Sequence, residues 1–511
     1  MTLRLSRRTF LGAAATLAAG GVLRPARAAT TPPRLLTAGR RILEVGGRAA
    51  PVFGITRADG GAGVVLEPGE RFAVTLANRC GAPTIVHWHG QEPPPAEDGV
   101  AETGYVAPLA DGEERGYDFA ARPGTHWMHS HQGLQEQSLM AAPLVVRGAD
   151  DAALDAQEVV VLLHDFTFRD PAEVLAELTG GMAMAGMSGM AMGQDSGQAS
   201  GMTHGMDHQN MGHQGMTHGM GQDMGQGAGQ GMGHGMQHGG GGPDLNDISF
   251  DAYLANDRTL ADPQVVRTER GGRVRLRLIN GAAATNFWID LGGLSATVLA
   301  VDGTAVLPVT GTRFPLAIAQ RLDLLVTLPD AGAFPILAQR EGDRARTGIV
   351  LATPGAAVGR IADGADAVAA AVDLSLEERL VAATPLAPRD PDVRHRVRLT
   401  GSMMPYRWTI DDLSWTDRRP LTVAAGQRAV LDIVNETGMA HPMHLHGHHF
   451  QVVAIDGRPV RGAIRDTAYV MPRGSVTVAF DADNPGRWLF HCHNLYHMAT
   501  GMMTELVYAG G

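Results

Sequence analysis

The 511-residue chain contains no lysine, and all 42 of its basic side chains are arginine. That excludes a lysine Schiff base and a phosphate-loop lysine. Cysteine is nearly as scarce: with only Cys80 and Cys492, the fold cannot rest on a disulfide framework. Cys80, after a strand-like run, reads as a small residue near a turn. No stretch approaches the roughly 20 consecutive apolar residues that span a bilayer, so no stable membrane anchor is expected. Net positive charge is also missing. The formal charge is -11, and it falls to about -16 once residues 1–28, which carry five arginines and no acid, are set aside. Such a surface argues against nucleic acid as a partner. Hydrophobic residues nevertheless make up 44% of the chain, enough to fold several domains at this length.

Residues 1–28 have the form of an export signal. Arg7-Arg8 stands in Ser-Arg-Arg-Thr-Phe-Leu-Gly, a short apolar run follows, and Ala26-Arg27-Ala28 is a small-residue cleavage site. A twin arginine addresses folded protein for export, which suits a chain that must acquire a cofactor first. The expected destination is the periplasm.

One pattern occurs three times. Gly69-Glu-Arg-Phe-Ala-Val-Thr-Leu-Ala-Asn78 returns as Gly271-Gly-Arg-Val-Arg-Leu-Arg-Leu-Ile-Asn280 and as Gly426-Gln-Arg-Ala-Val-Leu-Asp-Ile-Val-Asn435. Gly, Arg and Asn keep their offsets around an alternating run that reads as a half-buried strand. With short Val/Ile/Leu runs between Gly, Pro and Asp turns elsewhere, the expectation is all-β: three β-sandwich units over residues 29–150, 151–360 and 361–511. One helix is expected over 371–382. Residues 180–242 break the pattern, holding 22 glycines, 13 of the 24 methionines and 6 of the 21 histidines. So much glycine cannot build a core, and the segment is expected to be disordered. A linker would need no methionine; soft thioethers suit monovalent copper and imidazoles divalent copper, so a copper collector is the better reading.

Four clusters carry the chemistry: His87-Trp-His89-Gly90, His129-Ser-His131, His441-Pro-Met-His444-Leu-His446-Gly447, and His491-Cys492-His493 with His497 following. Side chains two apart on a strand share a face. His87 with His89, His129 with His131, His444 with His446 and His491 with His493 therefore form four same-face pairs, enough for a multi-metal cluster. By the same parity His441 and Cys492 point the other way. With His497 and a following methionine they make a His₂Cys set with a weak axial thioether, the electron-transfer copper arrangement. Pro123-Gly-Thr-His-Trp-Met-His129-Ser-His131 repeats the offsets of Pro485-Gly-Arg-Trp-Leu-Phe-His491-Cys-His493, with Ser130 in the place of Cys492. The first unit can thus share the cluster but not hold its own thiolate site. The cluster is expected between the first and third units, with the second as spacer.

These four motifs, in this order, resemble the copper-binding segments of three-domain bacterial multicopper oxidases. The resemblance implies cupredoxin-like domains and four coppers. It assigns His441, Cys492, His497 and Met502, after Gly501, to a type 1 copper, leaving Met498 and Met503 to packing. It assigns His87 and His444 to type 2 copper, and His89, His129, His131, His446, His491 and His493 to the type 3 pair. Four one-electron oxidations would then be coupled through Cys492 to reduction of dioxygen to water. Asp98 falls where related enzymes keep a carboxylate and is the expected proton donor. The twin arginine, the Met/His tract and Met439 resemble the copper-resistance branch, which oxidises cuprous ion; Met439, with Met403 and Met404, would hold the incoming ion. The alternatives are a laccase-like phenol oxidase, which an open site beside His497 would favour, and a copper-sequestering protein.

Overall fold

The computed structural model describes residues 33–180 and 245–510. The export signal and the Met/His tract, apart from Gly180, lie outside them. The described chain is mostly strand, arranged as three successive pairs of sheets. Each of the three repeated runs lies inside one sheet with the same neighbours. Arg71–Arg79 has Arg34–Val45 parallel on one side and Glu114–Ala120 antiparallel on the other. Arg273–Asn280 lies between Gln157–Phe166 and Arg321–Thr327, and Arg428–Asn435 between Val393–Met403 and Ser475–Asp481, in the same two senses.

The asparagine that ends each run turns the chain. Asn78, Asn280 and Asn435 each accept through Oδ1 from the backbone N–H two residues on, at Cys80, Ala282 and Thr437. Asn78 and Asn280 each donate through Nδ2 to two backbone carbonyls, and Asn435 to three. Buried amides of a loop are thereby satisfied without a ladder partner.

The second sheet of the outer units carries the histidine motifs. In the first unit it runs Val64–Leu66, Ala141–Val146, Gly124–Ser130, Val86–His89. In the third it runs Leu421–Val423, Met503–Tyr508, Arg487–Cys492, His441–Leu445, Thr467–Val470. Phe72, Leu76, Trp88 and Met128 fill the first core; Val397, Leu431, Phe450, Trp488 and Cys492 are in the third. Each such large side chain removed from water contributes roughly 1.5–3 kcal/mol.

Two expectations need correction. The stretch 371–382 holds only a 3₁₀ turn, Glu377–Arg379. Leu376 and Leu380 bury in the second unit, whereas Val372 packs with Trp288 and Tyr469, so no single apolar face exists for a helix to bury. The run Arg273–Asn280 is not half-buried. Arg275 and Arg277 turn against the first unit, pairing with Asp151 and Asp323, and Arg277 also donates to Thr125 Oγ1. Cys80 and Cys492 are both buried and unbridged.

Candidate metal centre

The duplicated strands pair in the same register. His87 lies opposite His129 on Val86–His89 and Gly124–Ser130; His444 lies opposite His491 on His441–Leu445 and Arg487–Cys492. Both partner strands reach one residue further: His131 N–H donates to the Ile85 carbonyl and His493 N–H to the Pro442 carbonyl. Alternation then delivers all eight imidazoles to one space between the first and third units. Two close ring pairs join the units there: His89 stacks on His444 at 3.8 Å, and His87 lies tilted against His446 at 3.9 Å between centroids.

Seven of the eight rings are held from behind by an oxygen within 3.4 Å. His87 Nδ1 donates to the Asp98 carbonyl at 2.9 Å, and His444 Nδ1 to the Asp466 carbonyl at 2.8 Å. His446 Nδ1 meets Asp98 Oδ2 at 2.9 Å, and His89 Nε2 meets Asp466 Oδ1 at 3.1 Å. His129 Nδ1 lies 2.7 Å from Glu136 Oε2, with His493 Nδ1 3.9 Å from the other oxygen. His131 Nδ1 meets Glu102 at 3.4 Å and His491 Nδ1 the Cys492 carbonyl at 2.9 Å.

The opposite nitrogens have no protein partner: Nε2 of His87, His129, His131, His444 and His493, and Nδ1 of His89, are buried and unpaired. The remaining two, Nε2 of His446 and His491, face each other at 3.0 Å. Burial, reinforced by neighbouring rings, holds His129, His446 and His491 well below the ordinary imidazole range. Burial does the same to His89 and His444 against the pull of Asp466, and brings His493 to about 3. At His131 burial is outweighed by Glu102, which raises the ring. Imidazoles oriented by carboxylates and carbonyls, with bare nitrogens converging, are the donor set of a metal cluster. Ring centroids lie 5.0–5.7 Å apart among His89, His129 and His493 and 5.1–5.3 Å apart among His131, His446 and His491, while His87 and His444, 5.7 Å from each other, lie closer still to His446 and His89.

The other face of the same strands builds a second site. Cys492 Sγ lies 3.7 Å from His441 Nδ1 and 3.6 Å from His497 Nδ1, and those nitrogens are 3.1 Å apart. Thr437 Oγ1 takes His441 Nε2 at 2.8 Å, so Nδ1 is left for the sulfur side. His497 stands on the short helix Leu495–Ala499, capped by Asn494, whose side chain accepts from the backbone of Tyr496 and His497. Burial pushes the Cys492 thiol up; a thiolate here therefore calls for a bound cation. Met502 is fully buried, and its carbonyl accepts from Cys492 N–H at 3.0 Å. Met498 is half-buried and Met503 buried. Of the three candidate substrate methionines, Met439 is 4% exposed in the third core, Met403 half-buried, and Met404 89% exposed.

Five residues that hold these sites escape sequence reasoning: Glu102, Glu136, Asp247, Arg321 and Asp466. None stands at a fixed offset from the ligand it serves, and Asp466 is 377 positions from His89. Only Glu136, five residues past His131, was near enough to have been suspected.

His448, beside the cluster, gives a pH prediction. Its Nδ1 donates to the His446 carbonyl at 3.1 Å and its Nε2 accepts from Tyr508 OH at 2.7 Å. Burial lowers its pKa from 6.5 to about 4. Between those values the unfolded chain binds the extra proton, so stability is full above pH 6.5 and is lost as pH falls through about 4, a loss of roughly 3 kcal/mol. Urea midpoints of the copper-free protein should decline over that window, and less steeply in His448→Gln. Parallel profiles for the two proteins would refute the assignment.

Comparison with known proteins agrees with this geometry. Three family models, each described as multicopper oxidase, match residues 41–151, 157–358 and 388–510. The chain is 32% identical to multicopper oxidase MmcO of Mycobacterium tuberculosis over 86% of its own length and 80% of that protein. It is 27% identical to copper resistance protein A of Escherichia coli, over 99% of both. Laccase-1 of Botryotinia fuckeliana is 24% identical over 91% of this chain and 80% of its own. Among solved structures, Fet3p, a multicopper oxidase that functions in iron import, superposes with a TM-score of 0.70 over 93% of this chain and 90% of its own at 17% identity, a likeness of fold.

Proposed function

This chain belongs to the multicopper oxidase family, and from that premise we propose that it oxidises cuprous ion in the periplasm, after twin-arginine export, as a defence against copper. His441, Cys492 and His497, with Met502, would hold the type 1 copper. His87 and His444 would hold type 2, and the other six histidines of the cluster the type 3 pair. The four coppers supply one-electron acceptance from the donor and four-electron reduction of dioxygen to water. Protein groups do the rest: Cys492 joins the sites through its bonds to His491 and His493, and Asp98 keeps a carboxylate against His446 and His87. No helix of the described residues is long and apolar enough to cross a membrane.

The observation that carries the cuprous reading is the closed edge of His497. Its Nε2 lies 3.0 Å from Asp247 Oδ2, and neither side chain is exposed. Asn494 Nδ2 donates to the same oxygen, and Trp408 packs on the ring at 4.3 Å. A phenol ring has no access to that nitrogen, whereas a lone cation needs only a donor atom near it. Both roots of the Met/His tract also touch the third unit. Val174 and Leu175, from the helix Pro171–Leu178, and Ile248 join the core that contains Cys492. The described residues that flank the tract are thereby packed against the unit that carries the type 1 residues.

Oxygen uptake with cuprous ion against a phenol, on fully metallated protein with and without residues 182–238, tests this reading. Intact protein should prefer cuprous ion. The deletion should lower kcat/KM for cuprous ion on the order of a hundredfold and leave or raise phenol turnover. A preference for phenol, unaffected by the deletion, would make it a laccase; copper well beyond four per chain with negligible oxygen uptake would make it a sequestering protein.

A further inference from the structure

We propose that Arg321, from the second unit, is a positioning residue for the trinuclear cluster, acting through Asp466 on His89; this rests on the assignment of His89 as a copper ligand. Among its described residues the second unit supplies none of the proposed cluster ligands, yet it reaches within one side chain of the cluster. Arg321 opens the strand Arg321–Thr327 and has no exposed surface. Its Nη1 donates to Asp466 Oδ1 at 2.7 Å, and its Nη2 to Asp466 Oδ2. Nη1 also reaches the Ala319 carbonyl at 2.9 Å and Nε the Thr125 carbonyl at 3.2 Å. One guanidinium therefore binds all three units at once.

Asp466 passes that constraint on. Its Oδ1 accepts from His89 Nε2 at 3.1 Å and from Thr467 Oγ1 at 2.9 Å, while its backbone carbonyl accepts from His444 Nδ1 at 2.8 Å. A carboxylate acceptor on Nε2 fixes the His89 tautomer with Nδ1 bare, and Nδ1 is the buried, unpaired atom of that ring. Without a cation this carboxylate would be buried and unbalanced. The two-pronged arginine supplies the charge and also sets the plane of the carboxylate, which a lysine cannot do.

The backbone beside the ligand is shaped to the same pair. Gly90 has φ +85°, and a Cβ there would lie 2.8 Å from Arg321 Nη2, 3.0 Å from Asp466 Oδ2 and 2.4 Å from His126 Nδ1. The glycine that ends His-Trp-His-Gly is what lets the Arg321–Asp466 pair stand directly behind His89.

A plain interface strut would use the same contacts, so the test needs a readout specific to the cluster. Full-length Arg321→Lys, Arg321→Met, Asp466→Asn and Asp302→Asn would be loaded with copper and dialysed against a chelator. Copper per chain, blue thiolate absorption and the paramagnetic type 2 signal would then be measured. Asp302 Oδ1 accepts from Arg321 N–H at 2.9 Å and lies 3.7 Å from Arg321 Nη1, so Asp302→Asn perturbs the arginine without removing the carboxylate that meets His89. Arg321→Met and Asp466→Asn should bind cluster copper about 10–100-fold more weakly with the blue band intact, Arg321→Lys should be intermediate, and Asp302→Asn should retain cluster copper. If Arg321→Met fails to fold, Arg321→Lys and Asp466→Asn carry the test. Retention of cluster copper in both of those, or loss of blue and cluster copper together in all four variants, would overturn the proposal. Wild-type protein that bound no copper at the eight histidines would overturn the ligand assignment, and the proposal with it.

Discussion

Cys492→Ser should abolish the blue thiolate absorption and lower oxygen uptake with cuprous ion and phenols alike by at least about a thousandfold, while the type 2 and type 3 coppers stay bound. The sulfur is the only soft donor in its triangle with His441 and His497, and a hydroxyl is a poor substitute for a thiolate at such a copper. The fold should tolerate the change, because the duplicated strand already carries serine at that register: Ser130 stands opposite Val86 as Cys492 stands opposite Met443. The cluster should survive because His491 and His493 project from the opposite face. The variant would cut the route between the sites at its sulfur end while leaving the backbone link, in which the Cys492 carbonyl accepts from His491 Nδ1 at 2.9 Å, in place. Metal analysis and visible absorption check the two halves of the expectation; a retained blue band would place the type 1 sulfur elsewhere.

Asp98→Asn should slow dioxygen reduction by about a hundredfold or more, the usual scale for removing a positioned proton donor, with the rate of type 1 reduction unchanged. Asp98 is 1% exposed, yet it ends a 3₁₀ turn, Pro95–Glu97, so it is a turn residue and a cluster residue at once. Gly99 makes this possible. At φ +80° it lies so close under the Val86 carbonyl that a Cβ would approach to 1.8 Å. The turn thus presses Asp98 under His87 and His446. One carboxylate oxygen accepts from His446; the other has no hydrogen-bond partner and lies 3.3 Å from His87 Nδ1. Asparagine keeps the shape but not the exchangeable proton or the charge. Stopped-flow reduction of the blue band under anaerobic conditions, followed by reoxidation with dioxygen, separates the two steps. Equal slowing of both, or none in reoxidation, would reduce Asp98 to a structural role.

The parts of this protein that were legible in its sequence are those governed by alternation along a single strand. Same-face pairs such as His491 and His493, and the opposite projection of Cys492 between them, follow from backbone geometry that needs no knowledge of what lies across the strand. The Gly-Arg-Asn repeat is legible for a similar reason, since Asn78, Asn280 and Asn435 satisfy their own turns locally. The stretch 371–382 misled because its leucines and valine have helical spacing but bury against two different units. Arg275 and Arg277 misled because period-two patterning assumes that one face of a strand meets water, whereas here the first unit covers it.

By itself, then, the sequence determined which imidazoles share a face, and that Cys492 projects from the other face of its strand, because those depend on neighbours two or three residues away. Only the tertiary structure decided which carboxylate stands behind which ring, that Asp247 closes the edge of His497, and that Arg321 of the second unit pairs with Asp466. Those contacts join residues hundreds of positions apart, and packing of three units against one another, rather than any local spacing, brings them within hydrogen-bond distance.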